Sequence, residues 1–507
     1  MGQRTARGRV SGTGTARPRR LFRHHRVSAV NDGPRAVDIV VIGAGPAGIM
    51  AAVAARRYGA TVALLDENPA AGGQVYRATP AGFASLGASM AEQVDGDRLR
   101  ARLAASGAET FFNHKVWSVS PGFRVDALGS RGSVALSAPR LIVASGTSER
   151  VVPFPGWTLP GVIGLAAATI LLKSQRMLPG RSTVVAGCGP LLVAVAAGIL
   201  KSGGRVEAIV DTAGPRDWVA RLPALLSRPD LLARGARWLA AIRAARVPIL
   251  PQRAVRSVSE RGGALEVVVG PVDVAAADAA RQTRTFTADC VAVGNGLTPS
   301  TDISRVMRAQ HRYEAARGGW VAVTDRYGRT SVPGLYVVGD GSGIAGAAAA
   351  EHHGELAGMA AMHDLGRLPA SSLENESAPA RRRYDKARRF GGAMAGLMAL
   401  SPTQVGAIPN DTIVCRCEDV TRGEIERAID DGALEVNQVK AWTRCGMGPC
   451  QGRSCGDILA ELVAARVGGR DAAGYFTGRL PLRPVSLEAL TDEYEYADIP
   501  IPRAAPL

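Results

Sequence analysis

Aromatic residues are scarce in this chain: Phe, Trp and Tyr together make up 5% of its 507 residues. Glycine is abundant instead, with 60 residues, and 46% of the chain is hydrophobic. This composition is typical of a globular α/β protein, rich in Ala, Val and Gly, that binds nucleotides. Because the chain is too long for one ordinary hydrophobic core, we expect about two to four domains.

Long uninterrupted apolar runs are also absent, which argues against a membrane span. The longest apolar stretches cover residues 39–55 and 184–200, and each contains an internal Gly-Pro pair that a nucleotide-binding turn explains. Arg19 and Arg20 form a twin-arginine pair, but the apolar segment of an export signal does not follow them. The sequence therefore predicts a cytoplasmic protein without a membrane span.

Acidic residues are nearly missing from the first 35 residues, where nine arginines accompany the single acid Asp32. This segment thus carries +8 of the net charge of +16. A nucleic-acid-binding arm is one interpretation, but Phe22 is the only aromatic residue among the arginines. We expect residues 1–35 to be a disordered basic tail, or to lie upstream of the natural start, and we expect no nucleic-acid partner.

The strongest motif lies in residues 38–76. A short β-branched run predicts a buried strand, and Gly43, Gly45 and Gly48 follow it in the GxGxxG spacing. Gly43 permits the tight turn, Gly45 lets a pyrophosphate approach the backbone, and Gly48 lets the next helix pack close to the strand. The sequence therefore predicts a dinucleotide-binding unit, with a glycine-rich turn of another α/β fold as the alternative.

A dinucleotide at this turn would place its pyrophosphate at the helix N-terminus, where unpaired N–H groups and the helix dipole favour an anion. Asp66 ends the second predicted strand and can accept hydrogen bonds from a ribose. The predicted cofactor-binding residues of this unit are Gly43, Gly45, Pro46, Ala47, Gly48, Asp66 and Glu67.

Two later stretches each combine an apolar strand with a turn of small residues: 141–147, LIVASGT, and 334–340, GLYVVGD. Together with the first unit they resemble the disulfide-reductase-like flavoproteins, over about residues 37–366. The resemblance implies FAD as the cofactor, with Gly146 in the first turn and Gly339 and Asp340 in the second. In that family the acid hydrogen-bonds to the ribityl chain, so we expect this role for Asp340 rather than that of a solvated turn acid.

A second strand and glycine turn, residues 183–190, open an inserted unit. Its third fingerprint position, after Gly187 and Gly189, holds Leu192. A leucine there would push the helix away from the strand or crowd a pyrophosphate. The sequence is compatible with NAD(P), with another nucleotide or with no ligand in this unit.

Seven cysteines are unevenly placed: Cys188, Cys290, Cys415, Cys417, Cys445, Cys450 and Cys455. No C-x-x-C or C-x4-C pair occurs near Gly72–Gln74 or in the inserted unit, where disulfide and thioredoxin reductases carry their redox pairs. A disulfide reductase is therefore disfavoured. We expect Cys188 and Cys290 to be small apolar packing residues.

The last five cysteines lie in one short segment, which predicts a metal or iron-sulfur site. The stretches CRCE, from residue 415, and TRCGMGPCQGRSC, residues 443–455, resemble the [2Fe-2S] domain of bacterioferritin-associated ferredoxin over about residues 411–468. The resemblance implies that Cys415, Cys417, Cys450 and Cys455 are the cluster ligands, with Cys445 as a spare. A zinc site is the alternative.

The predicted fold class is α/β: a flavoprotein with two dinucleotide-binding domains, in which an FAD domain carries an inserted NAD(P)-type Rossmann-like domain, followed by a small helical [2Fe-2S] domain. The predicted boundaries are tail 1–35, FAD domain 36–155, inserted domain 156–288, FAD domain 289–370, linker helix 371–410, [2Fe-2S] domain 411–468 and C-terminal extension 469–507.

This order of domains resembles the α (or A) subunits of heteromeric amino-acid dehydrogenases of the opine oxidase, D-hydroxyproline dehydrogenase and hydrogen cyanide synthase type. In that family a partner flavoprotein subunit oxidises the amino or imino acid, and the electrons pass to the subunit resembling this one. The resemblance implies an FAD-dependent oxidoreductase that acts on CH-NH or CH-NH2 donors within a complex.

Catalytic residues cannot be assigned from the sequence. Gly73 and Gln74 complete the predicted cofactor-binding set, and Gln74 and Tyr76 are candidates near the isoalloxazine, with ordinary loop packing as the alternative. Two other functions compete with the electron-transfer subunit. One is a stand-alone NAD(P)H-dependent reductase that passes electrons out through its cluster, and the other is a non-catalytic assembly or sensor subunit.

Overall fold

The computed structural model describes residues 33–79, 91–130, 132–272 and 282–487, without the side chains of residues 91–93. Most of the predicted basic tail (residues 1–32) and the end of the C-terminal extension (residues 488–507) lie outside the described residues.

The strands fall into three groups along the chain. The first group is β1 Arg35–Ala36, β2 Ile39–Ile42, β3 Val62–Leu65, β4 Glu109–Phe111, β5 Lys115–Ser120, β6 Arg124–Gly129, β7 Gly132–Ser137, β8 Arg140–Val143 and β9 Thr147–Glu149. The second is β10 Val162–Gly164, β11 Ser182–Gly187, β12 Arg205–Asp211, β13 Ile249–Pro251, β14 Arg253–Arg261, β15 Ala264–Pro271, β16 Arg284–Ala288 and β17 Cys290–Gly294. The third is β18 Leu297–Pro299, β19 His311–Glu314, β20 Gly319–Ala322, β21 Leu335–Val337, β22 Ile413–Cys415 and β23 Val420–Thr421.

The helices connect and cover these strands. They are α1 Pro46–Arg57, α2 Ala91–Ser106, α3 Leu165–Ile170, α4 Pro190–Lys201, α5 Pro215–Leu225, α6 Pro229–Ala244, α7 Asp302–Val306, α8 Ala347–Asp364, α9 Ala370–Leu397, α10 Pro402–Gly406, α11 Arg422–Asp430, α12 Val436–Thr443, α13 Gly456–Val467 and α14 Arg470–Ala473.

The FAD domain is built on a parallel sheet of order β21-β8-β2-β3-β4. Every residue of β2 and β3 is buried, as expected for β-branched and leucine-rich strands covered on both faces. A second sheet, of order β1-β7-β6-β5, lies on this domain. The carboxyl ends of β2, β8 and β21 therefore lie side by side at one edge of the parallel sheet, where an open α/β sheet binds its ligand.

Helices α1 and α8 cross at very short distance on one face of this sheet. A Cβ placed on Gly354 would lie 1.9 Å from the carbonyl oxygen of Ala47, and one on Gly358 would lie 2.4 Å from that of Ala51. The long helix α9 packs on α8, and its buried residues include an apolar stripe with seven-residue spacing: Leu373, Ala380, Ala387 and Met394. The predicted linker helix thus has one packed face, because an apolar residue recurs after every second turn.

The inserted domain has a parallel sheet of order β10-β17-β11-β12-β13 and an antiparallel sheet of order β14-β15-β16. Strand β17, Cys290–Gly294, pairs with β10 and β11. The sequence predicted that residues from 289 onward return to the FAD domain, whereas the pairing places this strand in the inserted sheet. Leu192 is 1% exposed and lies in the core between α4 and the strands, so it fills the interior of the domain.

The C-terminal domain has its own hydrophobic core, formed by α11, α12, α13 and the two-stranded β22-β23 sheet. Leu400, Val405 and Ile408 from the linker also pack into this core. Among the described residues, no helix combines the length and the apolar character that crossing a membrane would require.

Candidate cofactor sites

The first glycine turn has the geometry that a bound pyrophosphate needs. Gly43 has φ +101°, and a Cβ there would lie 2.4 Å from the carbonyl oxygen of Ala144. A Cβ on Gly48 would lie 1.8 Å from the carbonyl oxygen of Gly43, so only glycine lets α1 approach the strand this closely. No side chain of the described residues caps α1 at Gly45, and the end of the helix is left for an anion.

Asp66 braces this turn. Its Oδ2 accepts a hydrogen bond from the Ala44 backbone N–H at 2.6 Å, and its Oδ1 accepts from the backbone and the side chain of Asn68 at 2.7 and 2.8 Å. The carboxylate of Glu67 is about half exposed and lies 3.8 Å from the Arg483 guanidinium. The ribose-binding role that the sequence assigns to Asp66 stays a prediction, and so does the place of Glu67 in the cofactor-binding set. The carboxylate of Glu67 has fewer hydrogen-bonded partners than that of Asp66.

The loop after β3 lies against the first glycine turn. A Cβ on Gly73 would lie 2.9 Å from the Gly45 Cα, and the Gly72 N–H donates to the Ala44 carbonyl at 2.8 Å. Gln74 is exposed and accepts a hydrogen bond from Arg77 at 2.5 Å. Tyr76 packs partly buried against the FAD-domain core. The roles of Gln74 and Tyr76 near the isoalloxazine stay predictions.

Asp340 lies in the turn after β21. Its Oδ1 accepts from the backbone N–H groups of Ala345 and Gly346, each at 2.8 Å, and burial raises the pKa of its carboxyl. Gly146, at φ +66°, lies in the turn after β8 close to this segment, because a Cβ on Gly341 would lie 3.5 Å from the Gly146 N. The predicted FAD-binding turns are therefore neighbours at one edge of the sheet.

Helix α8 carries a buried histidine, His353, which is 3% exposed. Its Nδ1 accepts from the Gly339 N–H at 3.2 Å, its ring stacks on Tyr384 at 4.9 Å, and burial lowers its pKa to about 4. The neutral ring supports the turn that carries Asp340. His353 is buried because α8 packs against both α1 and α9, and the sequence alone does not show this packing.

The C-terminal cysteines converge. The sulfur atoms of Cys415, Cys445 and Cys455 lie within 4.8 Å of one another, and all three residues are buried. Hydrogen bonds from Cys445 and Cys455 hold the pKa of the Cys415 thiol well below its usual range. Cys417 and Cys450 are hydrogen-bonded to each other at the same site and are less buried.

This donor set fits an iron-sulfur cluster, since four thiolates hold a [2Fe-2S] centre and five thiols are gathered here. The structure unites Cys415 and Cys455 of the predicted set with Cys445, the predicted spare, and pairs Cys417 with Cys450. The choice of four ligands stays a prediction. Cys188 and Cys290 are buried apart from this group, and burial raises the pKa of each thiol to about 12.

A buried arginine joins the FAD domain to the cysteine domain. Arg150 follows β9, is 3% exposed, and donates from Nε to Asp457 Oδ2 at 2.7 Å. It also donates to the carbonyls of Met398 and Gly318, each at 2.8 Å. Asp457 lies two residues after Cys455 and is paired with Arg470 as well. Beside this network lies a cavity of about 590 Å3 that residues of both domains line.

Two family models match the chain. The pyridine nucleotide-disulphide oxidoreductase family matches residues 37–364, and the BFD-like [2Fe-2S] binding domain matches residues 413–465.

Known proteins are similar along nearly the whole chain. The A subunit of opine oxidase from Rhizobium meliloti (strain 1021) is 36% identical over 470 residues, which are 90% of this chain and 99% of that protein. Hydrogen cyanide synthase subunit HcnB of Pseudomonas aeruginosa is 31% identical over 455 residues, 89% of this chain and 97% of that protein.

Among solved structures, the L-proline dehydrogenase from P. horikoshii has a TM-score of 0.64 at 19% identity and covers 91% of this chain and 81% of its own, which supports the fold. The fold class and the two cofactors predicted from the sequence are confirmed. The chain belongs to the pyridine nucleotide-disulphide oxidoreductase family, in the group that includes the A subunit of opine oxidase, and is an oxidoreductase that carries FAD and a [2Fe-2S] cluster.

Proposed function

We propose that this chain is the electron-transfer subunit of a heteromeric dehydrogenase that oxidises an amino or imino acid of the opine, D-hydroxyproline or glycine type. The observation that carries the proposal is the buried Arg150–Asp457 ion pair, which fixes the cluster domain on the FAD domain. The sequence also has no redox cysteine pair near Gly72–Gln74, so the cysteine domain is the place to which the flavin can pass electrons. A flavin takes up two electrons together and an iron-sulfur cluster passes them singly, so the pair supplies a relay.

The relatives support a partner. The A subunit of opine oxidase and the HcnB subunit of hydrogen cyanide synthase are both named as parts of larger enzymes, and this chain spans almost their whole length. The amino acid is then oxidised on the partner subunit, which delivers the electrons. The cytoplasmic location predicted from the sequence stays a prediction.

The residues of this chain bind the two cofactors and position the two domains that carry them. The α1 N-terminus and the Gly43–Gly48 turn would hold the pyrophosphate of FAD, and Asp340 would accept a hydrogen bond from its ribityl chain. Arg150, whose side chain has four hydrogen-bonded partners, keeps the cysteine domain in one position relative to the FAD domain. Its role is positional, because it bridges the two domains.

Activity measurements on the complex and on the isolated chain test the proposal. The complex purified with its partner subunit should reduce an artificial one-electron acceptor when the amino acid is added, and the isolated chain should not. An isolated chain that turns over NADH with the same acceptor would contradict the proposal and support the stand-alone reductase.

We also propose Cys415, Cys417, Cys450 and Cys455 as the cluster ligands. Cys450→Ser should then abolish the [2Fe-2S] absorption and leave FAD bound, because the flavin site shares no residue with the cluster site. Cys445→Ala is the matched control and should retain the cluster. Loss of the cluster in Cys445→Ala together with retention in Cys450→Ser would replace Cys450 by Cys445 in the ligand set.

A further inference from the structure

The inserted domain has the architecture of a dinucleotide-binding domain. Its sheet begins at β11 and extends through β12 to β13 on one side and through β17 to β10 on the other. In such a sheet the ligand binds outside the carboxyl ends of the strands at the point where the strand order reverses. That point lies between β11, which ends at Gly187, and β17, which ends at Gly294.

A side chain of this same protein occupies that point. Met398 directly follows helix α9, and a Cβ on Gly189 would lie 2.7 Å from its Sδ and 2.9 Å from its Cγ. A Cβ on Gly296, in the turn after β17, would lie 2.9 Å from the Met398 Cβ. The methionine therefore covers both turns that would have to admit a pyrophosphate.

Hydrogen bonds hold the covering segment in place. Arg150 donates to the Met398 carbonyl at 2.8 Å. Arg221, on α5 of the inserted domain, donates to the carbonyls of Gly396 at 3.0 Å and Ala393 at 3.2 Å, which are the last turn of α9. Both arginines bind the end of α9, Arg221 from the inserted domain and Arg150 from the segment after β9.

The remaining space is small. The carboxylate of Asp211, at the end of β12 where a ribose would bind, accepts from the Ala213 N–H at 2.9 Å and from the Trp218 Nε1 at 3.4 Å. Between Gly187, Thr212 and the linker residues Gln404, Ile408 and Pro409 a cavity of about 70 Å3 is left. Ligand sites generally need about 300 to 1,000 Å3, so a dinucleotide does not fit beside the linker.

We propose that Met398 is a specificity-determining residue for the electron donor: with linker residues 398–409 it closes the inserted domain to NAD(P)H. The consequence for electron entry rests on the proposed function, because with the inserted domain closed the flavin receives its electrons from the partner subunit. The inserted domain then serves as a scaffold that holds α9 and the linker.

Calorimetry of the full chain loaded with FAD and cluster tests the closure, with NADH, NADPH and ADP-ribose as titrants. The wild type should show no binding at ligand concentrations up to about 1 mM. Met398→Ala removes the Sδ and Cγ that cover Gly189 and should bind ADP-ribose with a Kd of about 0.1 mM or lower, at least about tenfold below the wild-type limit. Met394→Ala is the matched control, since no atom of Met394 lies within 4 Å of a Cβ on Gly189.

Arg221→Gln provides a second variant, which should also gain affinity because it releases the end of α9. FAD content and the near-ultraviolet circular dichroism confirm that each variant is folded. Micromolar binding of NADH to the wild type would overturn the closure, and so would equal affinities of Met398→Ala and Met394→Ala. If NADH binds the wild type without bleaching the flavin, the closure fails and the proposed function stands; if NADH also bleaches the flavin, both fail.

Discussion

The two glycine turns of this chain share a strand, a turn and a helix, yet they differ in what lies above the helix end. At the first turn, a Cβ on Gly45 would meet only the Gly73 Cα, at 3.9 Å. At the second, a Cβ on Gly189 would meet the Met398 side chain at 2.7 Å. The same local motif is therefore an open site in one domain and a covered surface in the other, and a segment about 200 residues away makes the difference.

The third fingerprint position also differs in its physical effect. Gly48 allows α1 to lie on the strand with no space for a Cβ, whereas Leu192 is part of the core under α4. The first helix is held close by the absence of a side chain, and the second is held by burying one. The residue at this third fingerprint position therefore indicates how the helix packs on the strand, and it does not by itself show whether a ligand binds.

Replacing Gly48 of the first turn by leucine, the residue at the matching position of the second turn, should have the largest effect on stability and on FAD binding. In Gly48→Leu, the new Cβ would lie 1.8 Å from the Gly43 carbonyl oxygen, so strand and helix must separate. We expect loss of bound FAD and destabilisation by more than about 4 kcal/mol, measured by flavin content and urea denaturation. Gly45→Ala is the control: its Cβ has room in the open turn, so the chain should fold normally and bind FAD at least about tenfold more weakly.

Replacing Leu192 of the second turn by glycine, the residue at the matching position of the first turn, should destabilise the chain without creating a nucleotide-binding site. Leu192→Gly leaves a cavity in the inserted domain, which should lower the free energy of unfolding by roughly 3–5 kcal/mol. ADP-ribose should still not bind, because Met398 stays over Gly189. Binding of ADP-ribose to Leu192→Gly would show that position 192, and not Met398, distinguishes the two turns.

Arg150 contacts both Met398, which covers the second glycine turn, and Asp457 of the cluster domain. Arg150→Met should destabilise the chain by about 3–5 kcal/mol, because Asp457 is then left buried with one of its two arginine partners gone. Arg124→Met breaks the Arg124–Asp126 pair, in which the arginine is about half exposed, and should cost about 1 kcal/mol or less. Equal losses in urea denaturation would contradict the account of Arg150 as a bridge.

Asp211, at the end of β12, should make the stability of the inserted domain depend on pH. Burial raises its pKa to about 6, above the value of about 3.9 in the unfolded chain. The folded state therefore holds this proton more tightly, and the stability it contributes is present below about pH 4 and lost as the pH rises through about 6. Asp211→Asn should be more stable than the wild type at pH 8 by roughly 2 kcal/mol and equal to it at pH 4, as measured by urea denaturation at the two pH values.

Sequence reasoning succeeded where the information is local. The spacing of Gly43, Gly45 and Gly48 and the strand before Asp340 fix backbone geometry within a few residues, and the cysteine spacing identified the cluster domain. It could not find Met398, because no property of a methionine at a helix end shows which surface it covers. The burial of His353 and the pairing of Cys290–Gly294 with the inserted sheet likewise depend on distant segments.

The most direct test of the account is the anaerobic visible spectrum of the purified chain, recorded before and after one equivalent of NADH and then after dithionite. The account predicts flavin and cluster bands that NADH leaves unchanged and dithionite bleaches, since the donor is a partner subunit and the inserted domain is closed. Bleaching by the single equivalent of NADH would contradict it and would make this chain an NADH-dependent reductase.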